Sequence, residues 1–140
     1  MNARPTRNQR DGPLEGWAFA LLLLLLVLPA IALSRLAPAI DWRILTGVPV
    51  AISLFTYLSY RSDKRRAEAG EWRIPEATLH LAEVAGGWPG AFLAQRNYRH
   101  KTAKLSFQVV FWLIVLLHQL VALDFLMAWK LTKGVLARFD

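Results

Sequence analysis

Residues Trp17–Ser34, WAFALLLLLLVLPAIALS, carry no charge and contain an unbroken leucine block. A helix rises about 1.5 Å per residue, so this stretch crosses most of a hydrocarbon core about 30 Å thick. A chain built around such a segment is expected to sit in a membrane. Composition agrees. More than half of the 140 residues are apolar, yet the formal net charge is +7. Those two facts conflict in a soluble domain and agree in a small membrane bundle whose Lys and Arg collect in short connections. With no cysteine, disulfides, thiolate metal sites and cysteine nucleophiles are excluded.

A cleaved signal peptide is the competing reading of the first span. Arg4, Arg7 and Arg10 make a basic start, and Ala30-Ile31-Ala32 resembles a small-residue cleavage site. Against cleavage, the apolar core is long, and Asp11 and Glu15 lie just before it. The expected layout is a polar tail over 1–16 followed by one membrane domain over 17–140. A second span is expected over 42–60, bent at Pro49, and a third over 105–129. Trp17, Trp42 and Trp129 fall at the expected span ends, as an aromatic belt would place them. Trp112 lies inside the last span and reads as a packing residue.

Between the second and third spans lies Glu76–Gln95, EATLHLAEVAGGWPGAFLAQ. It is long enough to cross but poorly built for it. His80 and Glu83 are polar, and Gly86-Gly87-Trp88-Pro89-Gly90 breaks a helix. It is therefore either a kinked fourth span or a pair of half-helices that dips in and returns. With the N-terminus inside, Arg61, Lys64, Arg65, Arg66 and Arg73 lie inside under both readings. Re-entrance also keeps Arg96, Arg99, Lys101 and Lys104 inside and puts Lys130, Lys133 and Arg138 outside, so basic-residue bias favours it by four to three. The fold class is thus an all-α integral membrane protein of three transmembrane helices plus one broken segment.

The polar residues concentrate between Tyr57 and Trp112. They read Asp63-Lys64-Arg65-Arg66-Ala67, Arg73-Ile74-Pro75-Glu76, Leu79-His80, the GGWPGA run from Gly86, and Arg99-His100-Lys101-Thr102 with Lys104, Ser106 and Phe107. In that order these motifs resemble a bacterial family of small membrane proteins, the domain of unknown function 1294. The resemblance covers about half of the chain. It implies a multi-pass protein of the bacterial inner membrane and no particular activity. Some members carry an N-terminal cold-shock domain. The sixteen residues before the first span are too few for that barrel, so the chain is expected to lack it, and nucleic acid is a disfavoured partner.

Each motif has a structural and a functional reading. Pro75 and Glu76 suit a helix start, because Pro fits the first turn and Glu the positive end of the dipole. Functionally, Glu76 would pair with the basic residues of the RHKT run and hold the loop shut. Gly86, Gly87, Trp88, Pro89 and Gly90 read as a helix break with close packing, or as a half-helix terminus facing an ion or headgroup. His80 and Glu83 share a helix face, and Glu83 is expected to pair with Arg99 or Lys101. No second acidic ligand stands at a suitable spacing, so neither a metal nor another cofactor is expected. His118 and Gln119 are expected to make interhelical hydrogen bonds, and Asp124 to reach water at the membrane end.

Lys64, Arg65, Arg66, Arg99, His100, Lys101 and Lys104 place cations beside the membrane. Topology anchoring is the plain reading, and anionic lipid headgroups are the favoured ligand beyond it. The run offers no aromatic stacking platform for nucleic acid. A non-catalytic protein binding anionic lipid or a partner through this basic face is the leading expectation. The rivals are an embedded enzyme acting on a lipid or isoprenoid headgroup, with Asp63, His80, Glu83 and His100 as acid-base groups, and a transporter that would have to be a homo-oligomer.

Overall fold

The structure, a computed structural model, describes residues 16–138. Among these there are helices and no strands: α1 (Gly16–Ser34), α2 (Trp42–Glu68), α3 (Glu76–Ala82), α4 (Trp88–Tyr98), α5 (Leu105–Leu126) and α6 (Lys130–Leu136), with a wide turn over Glu83–Gly87 joining α3 to α4. Three of them, α1, α2 and α5, are long and apolar enough to cross a membrane. They leave large apolar side chains uncovered, among them Leu24, Val50, Phe55 and Leu113. A hydrocarbon solvent satisfies such surfaces and water does not. The tail expected over 1–16 lies almost wholly outside the described residues.

Local sequence explains the helix ends. Asp41 caps α2, its side chain accepting from the Arg43 N–H at 2.8 Å. The helix runs on to Glu68, past the expected end at Tyr60. The extra turns are made of helix-compatible polar residues, with Lys64 and Glu68 paired one turn apart at 3.8 Å. Arg65 and Arg66 in its last turn face the negative end of the dipole. Pro75 sits just before α3, and Glu76 opens it, as the sequence predicts.

The broken segment is a hairpin. Gly86 has φ +111°, a conformation open to glycine and closed to most side chains, and it parts the two half-helices. A straight helix over 76–98 would hold its ends about 33 Å apart. Here the Ile74 N–H and the His100 ring, one at each end of the segment, bind the same Asp63 carboxylate on α2. The apex packs higher on α2. A Cβ on Gly90 would collide with the Ser53 backbone carbonyl, and one on Gly87 with the Thr56 hydroxyl. Ten residues of α2 separate Ser53 from Asp63, so the hairpin climbs roughly 15 Å.

α4 runs antiparallel to α5. Trp88 lies near His118 (6.4 Å between rings), Phe92 meets Trp112 edge-on (6.2 Å), and Gln95 binds Gln108 (2.7 Å). Trp112 is thus a packing residue, as expected. α1 lies along α5, where the Gln119 amide donates to the Leu25 carbonyl at 2.8 Å. His118 departs from expectation and bonds within its own helix, to the Ile114 carbonyl at 2.8 Å. α2 packs mainly on the hairpin.

The third span is shorter than expected. α5 stops at Leu126, and Ala128 and Trp129 take left-handed backbone conformations. Asp124 enforces the stop. Rather than reaching water it is buried, and its carboxylate accepts from the Leu131 N–H (2.8 Å), the Thr132 N–H (3.2 Å) and the Thr132 hydroxyl.

The glycine contacts give a direct test. Gly90→Ala pushes a methyl group into immovable backbone and should lower thermal stability in detergent by at least about 2 kcal/mol. Gly47→Ala, which meets nothing within 4 Å, should be neutral or slightly stabilising. Equal melting temperatures for the two variants would contradict the close approach.

Candidate functional site

The expected site residues gather where the hairpin closes on α2. Asp63, fully buried, accepts from the Ile74 N–H (2.8 Å) and from His100 Nε2 (2.7 Å), and Lys101 Nζ stands 3.4 Å away. Lys101 Nζ also reaches Glu76 Oε1 at 3.3 Å, and Lys104 Nζ binds both Glu76 oxygens at 2.8 and 2.9 Å. The expected pairing of Glu76 with the RHKT run is therefore present. One carboxylate on α2, one at the start of α3 and three basic side chains after α4 form a single clasp at the hairpin's mouth.

Above the clasp lies a second polar cluster. Glu83, also fully buried, accepts from the Tyr60 hydroxyl and from His80 Nδ1, the latter at 2.7 Å. The expected partners were Arg99 and Lys101, and this pairing corrects them. Arg99 is exposed, and Lys101 is committed to Asp63 and Glu76. The donors form an ordered chain. Gln108 Nε2 donates to Gln95 Oε1 (2.7 Å) and to the Lys101 carbonyl (3.1 Å), Gln95 Nε2 donates to the Tyr60 oxygen (3.2 Å), and Tyr60 donates to Glu83. Among the described residues no buried side-chain nitrogen or oxygen lacks a partner. Burial of two carboxylates is tolerable only because each is so well bound.

Phe107 ties the clusters together. Its ring meets His80 at 4.2 Å and Tyr60 edge-on at 6.1 Å, and Lys101 Nζ lies 5.0 Å from its centroid. Tyr60, Gln95 and Gln108 were missed in the sequence because each stands alone in an apolar or amphipathic helix. The available signal was the i, i+3, i+6 row Tyr57, Tyr60, Asp63, which lays one polar stripe along α2.

His80 and Glu83 do not meet His100 in one cluster, since each histidine serves its own carboxylate. Among the described residues no group of three acidic or histidine side chains is arranged to hold a metal ion. Lys64 pairs with Glu68 and lies near the Tyr98 ring at 5.6 Å. Arg96 stacks over Trp17 at 4.8 Å. Arg61, Arg65, Arg66, Arg73 and Arg99 are exposed.

Membrane-length helices, three of them, with a hairpin clasped at its base by the buried Asp63 and the half-exposed Glu76, define a class of small helical protein. The chain belongs to the family described as "Protein of unknown function (DUF1294)", whose pattern matches residues 53–107. That interval contains the clasp, both glycine contacts and Phe107. The chain is 35% identical over 65 residues to "Uncharacterized protein YsdA" of Bacillus subtilis (strain 168), a match covering 46% of this chain and 73% of that protein. No solved structure matches.

Two predictions follow from the geometry. Tyr60→Phe removes a donor to Glu83 and leaves the Gln95 amide without its acceptor, so it should cost about 1–3 kcal/mol of stability in detergent; an unchanged melting temperature would refute the ordered chain. The second concerns pH. The Lys104 ammonium, hydrogen-bonded to Glu76, holds that carboxyl below the usual carboxylate range, with Lys101 reinforcing it. A pKa depressed by folding stabilises at every pH above the unfolded value, about 4.3, and the contribution fades as pH falls through the lower folded value. The Glu76 side chain is 37% exposed, so the pair is worth at most about 1 kcal/mol. Glu76→Gln should therefore lower the melting temperature at pH 7, and the gap should close below about pH 4.

Proposed function

We propose that this is a non-catalytic protein of a bacterial inner membrane, with three transmembrane helices and a re-entrant hairpin, whose basic cytoplasmic face binds anionic lipid headgroups. The reading is carried by the surface around the hairpin's mouth. Arg61, Arg65, Arg66, Arg73 and Arg99 are exposed there, and no ion pair engages them among the described residues. Trp72, next to Arg73 in the chain, is 92% exposed. An indole beside several free guanidinium groups matches the region where headgroups meet hydrocarbon. His100 and Lys101 face inward to carboxylates and serve the clasp, while Lys104, half-exposed, lies at its edge. The lipid-facing set is thus Arg65, Arg66 and Arg99 from the motifs, joined by Arg61 and Arg73.

Two further observations support this reading. Both ends of the hairpin reach one carboxylate, which suits entry and exit on the same side of a bilayer. The acid-base groups that an enzyme would use, Asp63, His80, Glu83 and His100, are bound to one another.

Single cysteines test the topology, since the background has none. Ala69→Cys and Ala103→Cys, one on each side of the hairpin, should both resist an impermeant maleimide in intact cells and both react in inverted vesicles. Labelling from opposite sides would defeat re-entrance. Lipid binding is read by native mass spectrometry of protein in nanodiscs of mixed phosphatidylglycerol and phosphatidylcholine. Replacing Arg65, Arg66, Arg73 and Arg99 with Gln should cut retained phosphatidylglycerol about tenfold or more; unchanged retention would sink the proposal.

A further inference from the structure

The hairpin fills only half of the bundle. It reaches Ser53 and turns back, while α1, α2 and α5 continue for the rest of their length. Beyond the apex, α2 has little to pack on, because it makes few direct contacts with α1 or α5 there. The result is a cavity of about 940 Å³. Its floor is the apex itself, Gly86 to Gly90, and its walls include Leu26 and Leu33 of α1, Val50 and Leu54 of α2, and Val121 and Phe125 of α5. It is at the upper end of the range of small-molecule pockets and is lined almost wholly by hydrocarbon. Water has few partners there, so the lining favours an apolar occupant over water.

The far rim indicates which one. Leu36 and Trp129 line the cavity at that end. Arg35 immediately precedes Leu36 and is exposed; Lys130 immediately follows Trp129, with Lys133 one turn further on. All three cations are exposed; no ion pair within 4 Å engages them among the described residues, although Lys133 feels the charge of the Asp124 carboxylate. The turn that sets Trp129 on the rim is built with care. Ala128 and Trp129 both hold left-handed conformations, the Trp129 N–H binds the Asp124 carbonyl at 2.8 Å, and the Trp129 ring meets Phe125 edge-on at 5.9 Å. Strained backbone of this kind persists where the surroundings over-determine it.

We propose that this cavity holds the acyl chains of an anionic phospholipid from the leaflet opposite the hairpin's mouth, its headgroup held by Arg35, Lys130 and Lys133. The lipid takes the volume that a fourth full-length helix would otherwise fill. This site rests on the three-span, re-entrant reading above but shares no residue with the basic face and does not depend on lipid binding there.

The test uses full-length protein in nanodiscs containing phosphatidylglycerol with a diazirine near the end of one acyl chain. After photolysis, adducts are mapped by peptide mass spectrometry. Adducts should concentrate on Leu22, Leu26, Leu93 and Leu117, toward the floor where the chain ends lie, and be rare on the outward-facing Leu24 and Val110. Ala30→Trp with Val121→Trp fills the cavity and should abolish them, whereas Leu24→Trp on the outer surface should not. Replacing Arg35, Lys130 and Lys133 with Gln should reduce the preference for phosphatidylglycerol over phosphatidylcholine about tenfold, and replacing Arg65, Arg66, Arg73 and Arg99 should leave these adducts in place. Adducts spread evenly over the outward faces, or a dimeric native mass with the cavity residues free of adducts, would overturn the proposal. Because the wild-type map alone decides between these outcomes, a filled variant that fails to fold does not rescue it.

Discussion

One buried carboxylate organises this molecule. Asp63 lies on a helix whose apolar length ends just before it, and its two oxygens bind groups from opposite ends of a 27-residue excursion, the Ile74 N–H and the His100 ring, with Lys101 close by. A carboxylate removed from water costs several kcal/mol unless its partners are well placed. The chain therefore has a strong reason to return to the point from which it left. Most hairpins are closed by a turn at their tip. This one is also closed at its base, by charge.

The tip is fixed by the opposite device, the absence of side chains. Gly90 lets α4 ride directly on the Ser53 carbonyl, and Gly87 does the same against Thr56. Base and tip together define depth. Between them the donor chain from Gln108 through Gln95 and Tyr60 to Glu83 fixes rotation, because any twist of α4 breaks it. A hairpin in an apolar medium gains little from the hydrophobic effect. Close packing and satisfied hydrogen bonds must hold it, and both are present here along one face of α2.

Much of this was legible in the residues. The uncharged runs placed three long helices, Pro75 with Glu76 placed the start of α3, and Gly86 placed the break. The order of the charged motifs identified the family. What the sequence left open was pairing. Glu83 had several cations within a plausible reach, and Tyr60, 23 positions earlier, looked like one more residue of an apolar helix. Asp124 showed the same limit: near a span end it read as a solvent-facing group, whereas its carboxylate caps the short helix that follows. Periodicity reports which face a residue occupies. It does not report which face of another helix comes to meet it.

The hairpin also divides the molecule into halves of different chemistry. On the side of its mouth lie two histidine–carboxylate pairs and two glutamines, with His80, Tyr60 and Lys101 around Phe107 and several exposed arginines outside them. On the other side, the three long helices enclose almost nothing polar. A fourth full span would have made the bundle uniform and closed. With the hairpin stopping at Ser53, α2 packs on the rest of the bundle mainly through the hairpin.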